Sequence, residues 1–235
     1  MKFLKRINVF ISKPKVFCIG MNKTGTTTMA KVFKNLNYRV APQIKQEINI
    51  GDIRVKNNQK IIKKFCWKYN FFQDLPFSQG DIYKTIDKIY PKSKFILTIR
   101  DANKWFDSLC NFHLIYFRKM GFDFKNISEV KEEHMKKFNW IKEGYYYDYT
   151  KNFWITEMKD NQLSYNWELL YNKDHYIHVY NERNKQIKDY FEQRKKDLLV
   201  FDVSENYNVS KILNFLELKK DLNFEIPHEL KSKYK

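Results

Sequence analysis

One stretch of the chain, residues 15–28, decides the fold: Lys15-Val16-Phe17-Cys18-Ile19-Gly20-Met21-Asn22-Lys23-Thr24-Gly25-Thr26-Thr27-Thr28. Residues 15–19 are a short apolar run of strand formers, as expected of a buried parallel strand. A loop bounded by Gly20 and Gly25 follows, and apolar side chains at helical spacing then predict a helix over residues 26–36. Strand, glycine-bounded loop and helix together form the opening of a βαβ unit.

The same alternation continues further along the chain. A helix is predicted over residues 82–90 and a strand over residues 94–99, and the next helix begins with Asn103 as its cap and runs to about residue 119. The last predicted elements are a helix over residues 184–194, a strand over residues 198–201 and a helix over residues 209–218. Strands that alternate with helices predict an α/β fold of three layers, in which helices flank a central, mostly parallel sheet.

No linker rich in Gly, Ser or Pro divides the chain, so we expect a single domain over residues 1–235. Its middle, at about residues 121–159, has no clean period and is dense in aromatic side chains. We interpret this segment as an insertion over the sheet edge. Ligands of such folds bind outside the carboxyl ends of the strands, where the loop after residue 19 and Arg100 are both predicted to lie.

Composition limits the classes of protein and partner. The chain has 235 residues, of which 43% are hydrophobic and 17% aromatic, so it can form a sizeable core and is not expected to be disordered. The 44 Lys and Arg residues exceed the 27 Asp and Glu residues, and the net charge of +17 favours an anionic partner. Only 7 of those 44 residues are Arg, so each Arg position is the more informative.

Targeting signals are absent from the sequence pattern. The 3 cysteines, Cys18, Cys66 and Cys110, lack metal-like spacing and fit a reducing compartment. The basic N-terminal stretch has no signal-peptide core, and nowhere do about 18 apolar residues run together. We therefore expect a cytoplasmic protein without a membrane span, and no pattern calls for a bound metal.

The loop from Gly20 to Gly25 has the glycine spacing of a phosphate-binding loop. Its backbone N–H groups and the start of the next helix would hold phosphate oxygens. A nucleoside triphosphatase needs a lysine and then a hydroxyl directly after the second glycine, but this chain has Thr26 and Thr27 there. The lysine of this loop is Lys23, inside the loop. The loop is therefore P-loop-like, but its cation is in a different place.

Two motifs in this order resemble those of PAPS-dependent sulfotransferases, where PAPS is 3′-phosphoadenylyl sulfate. Residues 14–28 are similar to the family's 5′-phosphosulfate loop, and residues 95–101 with Trp105 and Ser108 resemble its 3′-phosphate-binding strand and helix. Tyr190 and Phe191, followed by residues 198–202, look like the helix and strand that precede the family's C-terminal region. The resemblance implies transfer of a sulfonate group from PAPS to a hydroxyl or amine acceptor, with the desulfonated nucleotide PAP as product.

The resemblance also implies roles for individual residues. Lys23 would reach the transferring sulfonate and the bridging oxygen, where a cation stabilises the charge that develops as the bond to PAP breaks. Arg100 would bind the 3′-phosphate with its planar guanidinium, and Ser108 would add a hydroxyl donor. The residues implied at the 5′-phosphosulfate group are Asn22, Thr24, Gly25, Thr26, Thr27 and Thr28.

The general base for the acceptor has two candidates, since it must come within hydrogen-bond reach of the acceptor hydroxyl. Asp74 follows a short apolar run and is therefore expected at a strand end, whereas His113 lies on the helix after the 3′-phosphate motif. Each residue also has a purely structural interpretation, as a packed polar side chain. Tyr180 is a candidate for stacking on the adenine ring.

One departure from the family pattern is clear. Sulfotransferases of the hormone and phenol type carry a late Arg-Lys-Gly segment, whereas no glycine follows residue 160 here. The chain therefore looks like a more divergent branch. The expected acceptor is a small molecule or a glycan, and no metal is required.

Two other functions stay open at this point. A P-loop nucleoside or nucleotide kinase shares the strand, loop and helix, although Thr26 stands in place of the loop lysine. A nucleic-acid-binding module would use the basic surface and the aromatic insertion. The lysines are spread along the whole chain rather than clustered, so nucleic acid is the less expected partner.

Overall fold

The chain forms two compact units in a computed structural model that describes residues 13–52, 58–159, 161–202 and 209–218. The first unit combines Met1–Arg100 with Gln186–Lys235, and the second is Asp101–Lys185. The aromatic-rich segment at 121–159 falls within the second unit, and a single domain over the whole chain stays a prediction. Residues 1–12 of the N-terminal stretch that was considered for targeting lie outside the described residues.

The first unit is built on a four-stranded parallel sheet. Its strands are β1 (Val16–Cys18), β2 (Phe71–Gln73), β3 (Lys94–Ile99) and β6 (Leu198–Asp202), in the spatial order β2-β1-β3-β6. The central strand β1 places Phe17 opposite Phe72 on one side and opposite Phe95 on the other. Every neighbouring pair in this sheet is parallel, as the alternation of strands and helices predicted.

Helices cover both faces of this sheet. They are α1 (Thr26–Asn35), α2 (Gln43–Ile50), α3 (Gln59–Cys66), α4 (Ile82–Ile89), α9 (Val209–Phe215) and the end of α8 (Lys173–Tyr190). Successive strand side chains point to opposite faces, so Phe17 and Ile19 join a core cluster with α2, α3 and α4. Val16 and Cys18 join a second cluster with α1 and α9. The predicted three-layer α/β architecture is therefore confirmed.

The second unit has an aromatic core. Its elements are α5 (Ala102–Lys119), α6 (Glu132–Lys136), α7 (Tyr145–Phe153), the antiparallel hairpin of β4 (Thr156–Lys159) and β5 (Gln162–Tyr165), and the start of α8. Two ring pairs stack in the interior, Trp105 on Tyr180 with centroids 4.3 Å apart and Trp154 on Tyr176 at 4.2 Å. Such large rings fill a core without a regular aliphatic spacing, which is why the sequence pattern shows no period here.

Several boundaries differ from those that the sequence predicts. The cap of α5 is Asp101 rather than Asn103, because the Asp101 carboxylate accepts a hydrogen bond from the Lys104 N–H at 2.9 Å. Helix α8 begins at Lys173, well before residue 184, and ends at Tyr190. Short 3-10 turns span Ile127–Glu129, Trp167–Leu169 and Glu192–Asp197.

An ion pair within the first unit joins α4 to the segment after α8. Arg194 donates from Nη2 to Asp87 Oδ2 at 2.7 Å and from Nη1 to Oδ1 at 3.2 Å, and the Tyr190 hydroxyl donates to Oδ2 at 2.8 Å. Burial acts to raise the pKa of Asp87, but the hydrogen bonds and the charge of Arg194 outweigh it and lower the pKa overall. The folded state therefore favours the ionised carboxylate.

Arg194→Ala is expected to lower the free energy of unfolding by about 1–2 kcal/mol at neutral pH, since the pair is bidentate but partly exposed. A carboxyl group whose pKa is lowered by folding stabilises the fold above its unfolded pKa, about 3.9, and this contribution disappears as the pH falls through the folded pKa. Urea unfolding should show the two proteins converging over that acid range. Lys195→Ala, at the exposed neighbouring position, is the control, and an equal loss in both variants would contradict the assignment.

Candidate active site

The carboxyl ends of three neighbouring parallel strands carry the polar residues of interest. The loop 19–25 follows β1, Asp74 follows β2, and Arg100 follows β3. The chain runs from β1 to β2 on one side, whereas β3 lies on the other side of β1, so the topological switch point lies between β1 and β3. Ligands of parallel α/β sheets bind in the crevice at such a point. This edge is therefore the candidate active site.

The loop after β1 is packed closely against β3. A Cβ on Gly20 would collide with the backbone and side chain of Thr98, so only glycine fits there. Thr24 is fully buried, and its hydroxyl forms a hydrogen bond with the Thr98 hydroxyl at 2.7 Å. The side chain of Thr24 thus anchors the loop from inside, and the approach of Gly20 fixes the loop's position relative to the sheet.

Helix α1 begins directly behind this loop. Its N-cap is Gly25 in the left-handed conformation, with φ 85°, and no described side chain caps the helix. The first N–H groups of a helix lack intrahelical partners and carry partial positive charge, so they attract an anion. Thr27 is exposed in this first turn, whereas Thr26 and Thr28 are buried. The arrangement is a helix start that can attract an anion, with one outward hydroxyl.

Lys23 lies within the loop and has a strained backbone. Its φ of 66° is left-handed, which is uncommon for a residue with a side chain. Arg100 supports this conformation, because its Nη1 donates to the Lys23 carbonyl oxygen at 3.2 Å. Burial lowers the pKa of Lys23, the Asp74 charge raises it and the Arg100 charge lowers it. Two cations and one carboxylate are thereby coupled at this edge.

Asp74 is the first residue after β2 and also has a left-handed backbone, with φ 62°. Its Oδ1 accepts from the Leu75 N–H at 3.0 Å. Longer contacts of 3.5 Å reach its carboxylate from Thr26, Gln43 and Ser78. Burial raises the pKa of Asp74, and the Leu75 N–H, the Lys23 charge and the Thr26 and Ser78 hydroxyls reduce but do not cancel that rise.

A polar network from α2 surrounds Asp74. The Gln43 amide donates to Glu47 Oε1 at 2.8 Å as well as to Asp74, so it bridges the two carboxylates. Gln46 Nε2 donates to the carbonyl oxygens of Gln73 and Leu75, both at 2.6 Å. These two bonds fix the main chain on either side of Asp74. The sequence prediction missed this support altogether.

The reason for the miss is the reversed polarity of α2. This helix buries Gln46 and Glu47 and exposes Ile44 and Ile48, so its apolar residues do not mark its inner face. A search for buried apolar periodicity cannot find such a helix. The sequence does carry one signal of this helix. Gln43, Gln46 and Glu47 stand at i, i+3 and i+4 and so form a polar face at helical spacing.

A family model described as a sulfotransferase domain matches residues 15–233. The chain belongs to this sulfotransferase family. The match confirms the resemblance seen in the two motifs, and its first residue, Lys15, opens the strand and loop that form the candidate site. A search of curated proteins finds no match to the chain. The protein is therefore a sulfotransferase, an enzyme class that moves sulfonate groups.

Three of the remaining predicted residues, Ser108, His113 and Tyr180, lie in the second unit of the sulfotransferase. Ser108 is half-buried on α5. His113 is 2% exposed, and its Nε2 and Nδ1 are each 2.9 Å from a tyrosine hydroxyl, those of Tyr146 and Tyr171. Tyr180 is buried and its ring stacks on Trp105. The side chains of His113 and Tyr180 are thus engaged in the core of this unit, whereas Asn22, in the first unit, is half-buried in the loop.

Metal and thiol chemistry have no visible site in the described part of the sulfotransferase. No group of three or more His, Cys, Asp or Glu side chains among those residues is arranged to hold a metal ion. Cys18, Cys66 and Cys110 are buried free thiols, and burial raises the pKa of each to about 12. Since the thiolate is the reactive form, nucleophilic chemistry at neutral pH is not expected of these three residues.

Replacing Lys23 by Met is expected to raise the pKa of Asp74 further, because the substitution removes a cation that favours the ionised carboxylate. Carbon NMR titration of the Asp74 carboxyl group measures this shift directly. Lys34→Met, at the exposed end of α1, is the matched control and should leave the titration unchanged. An Asp74 titration that is the same in wild type and Lys23→Met would show that the two charges are not coupled.

Proposed function

We propose that this sulfotransferase takes PAPS as its donor and transfers the sulfonate group to a hydroxyl or amine of a small molecule or glycan. The observation that carries the proposal is the arrangement around α1. Helix α1 begins after Gly25, and no side chain among the described residues caps it. Lys23 lies in the loop before this helix. Asp74 contacts Thr26 in the first turn of the helix. Such a site offers an anion cradle, a cation and a base within one short segment of structure.

The donor is proposed to bind along the edge of the sheet. Its 5′-phosphate would accept hydrogen bonds from the N–H groups at the start of α1 and from the exposed hydroxyl of Thr27. Arg100 would bind the 3′-phosphate through its planar set of N–H donors. The role that the family resemblance implies for Ser108 stays a prediction. Arg100 also donates a hydrogen bond to the Lys23 carbonyl oxygen. The proposed 3′-phosphate contact is therefore linked to the loop that would face the 5′-phosphosulfate group.

The proposed reaction is a direct transfer. The acceptor oxygen or nitrogen forms a bond to sulfur while the bond from sulfur to the bridging oxygen of PAPS breaks, and PAP leaves with that oxygen. Lys23 stabilises the negative charge that develops on the bridging oxygen. Asp74 takes the acceptor proton, and a raised pKa makes it a stronger base than an ordinary carboxylate. We prefer Asp74 to His113 because both ring nitrogens of His113 face tyrosine hydroxyls in a buried core.

PAP is expected to bind without added Mg²⁺, and Arg100→Ala should weaken its affinity by about 10- to 100-fold, because a charged hydrogen bond to phosphate is lost. Lys23→Met should leave PAP affinity within about threefold, since Lys23 acts on the group that PAP lacks. Isothermal calorimetry measures each value. Arg118→Ala, at an exposed position of α5, is the control for charge. No binding at millimolar PAP would overturn the proposal. Binding of Mg²⁺-ATP instead would favour a kinase.

Asp74→Asn is expected to reduce sulfonate transfer by about 10²- to 10⁴-fold while PAP affinity is kept, because the amide cannot accept the acceptor proton. The assay uses labelled PAPS with a panel of glycans, phenols and hydroxylated lipids. The wild-type rate should rise as the pH rises through the pKa of Asp74, since the base must be ionised, and then level off. A variant that keeps the wild-type rate and pH profile would exclude Asp74 as the base.

Across the described residues, no helix is both long enough and apolar enough to cross a bilayer. The cytoplasmic location suggested by the cysteine pattern stays a prediction, as does the low expectation of nucleic acid as partner.

A further inference from the structure

The paired helices α2 and α3 expose an unusual amount of apolar side chain. In the described part of the first unit, the exposed large apolar residues other than Val200 are Ile44, Ile48, Ile61 and Trp67, and all four belong to this pair. Trp67, the C-cap of α3, is 83% exposed. Ile50 of α2 and Ile62 of α3 are buried in the same core cluster, whereas the four exposed side chains are not part of it. Clustered exposure of this kind marks an interaction surface.

Three lysines share the exposed face of α3 with Trp67. Lys60, Lys63 and Lys64 are exposed and stand at i, i+3 and i+4, and Trp67 follows at i+7, so all four lie on one face of the helix. Lys68 follows directly. No Asp or Glu occurs anywhere in residues 58–70. The positive charge here is therefore not neutralised within its own segment, in contrast to a mixed surface.

We propose that this surface, formed by Ile44, Ile48, Ile61 and Trp67 with Lys60, Lys63 and Lys64, docks the enzyme reversibly on a bilayer that contains anionic lipids. Tryptophan prefers the headgroup region of a membrane, aliphatic side chains enter the acyl boundary, and lysines pair with anionic headgroups. Nucleic acid or a sulfated glycan would satisfy the lysines and could stack on Trp67. Neither offers an environment for three exposed isoleucines, so of these three partners the bilayer is the one that fits all seven side chains.

This docking is independent of the proposed donor chemistry, because none of the seven residues belongs to the candidate active site. The test is sedimentation of the full chain with vesicles of phosphatidylcholine alone and of phosphatidylcholine mixed with phosphatidylserine. Wild type is expected to bind the mixed vesicles at least about tenfold more tightly, and added salt should weaken that binding. Vesicles with brominated acyl chains should quench tryptophan fluorescence in wild type and much less in Trp67→Ser.

The substitutions separate a specific surface from diffuse charge. Lys63→Glu with Lys64→Glu should lower affinity for the mixed vesicles by at least about tenfold, and Trp67→Ser should lower it too. Lys84→Glu with Lys88→Glu, an equal charge change at i and i+4 on α4, is the control and should bind markedly better than the first pair. All these positions are exposed, so thermal unfolding and PAP affinity should stay at the wild-type values.

Three results would overturn the proposal. The first is equal binding to neutral and anionic vesicles, or to neither. The second is an equal loss of binding in the two lysine pairs, which would indicate attraction by net charge alone. The third is tight binding to heparin or single-stranded DNA that depends on Trp67 while vesicle binding does not, which would identify the surface as a polyanion site.

Discussion

Gly20 comes so close to the backbone of Thr98 that no side chain fits between β3 and the loop after β1, and this contact sets the geometry of the whole edge. The Thr24 hydroxyl bonds to the Thr98 hydroxyl from the other end of the loop, so the loop is held at two points. The start of α1 follows one residue later and is fixed with it. Two residues beyond Thr98, Arg100 reaches back to the Lys23 carbonyl oxygen. Strand β3 thus positions both the start of α1 and Arg100, the two groups proposed to bind the phosphates of the donor.

Strained backbone is concentrated at the same place. Lys23, Gly25 and Asp74 all have left-handed φ values, and two of the three are residues that pay a steric cost for it. Each such conformation costs about 1–3 kcal/mol and persists only where surrounding contacts hold it. Those contacts are identifiable here. Arg100 holds the main chain at Lys23, and the two hydrogen bonds from Gln46 hold the main chain around Asp74. In the proposed reaction this preorganisation would present a cation and a carboxylate toward the donor without reorganisation of the loop.

Much of the first unit could be predicted from the sequence because its strands obey simple rules. Strand β1 and the strand β3 are short, apolar and bounded by clear turn residues, and the glycine spacing at residues 20–25 has few other uses. The prediction failed in α2, where the buried residues are polar and the exposed residues are apolar. Helix α2 points Gln46 and Glu47 inward and isoleucines outward, and so the support for Asp74 was invisible to a pattern of buried apolar residues.

The second unit was hard to predict for a different reason. Its core is assembled from stacked and edge-on rings, among them Trp105, Trp154 and Tyr176, and aromatic side chains can meet over a range of spacings. The same packing explains why chemistry-bearing residue types there have structural contacts: the ring of His113 lies between two tyrosine hydroxyls, and Tyr180 has a tryptophan on its face. Composition identifies such residues, but only the three-dimensional contacts show what each one touches.

A crystal structure with PAP tests the central claim most directly. The proposed site predicts the 5′-phosphate at the start of α1, within hydrogen-bond distance of the N–H groups of residues 25–28, with Lys23 beside the position of the missing sulfonate and Arg100 on the 3′-phosphate. The carboxylate of Asp74 should face the open side of that position. A 5′-phosphate bound away from α1, or a 3′-phosphate with no contact to Arg100, would contradict the assignment of this edge as the donor site.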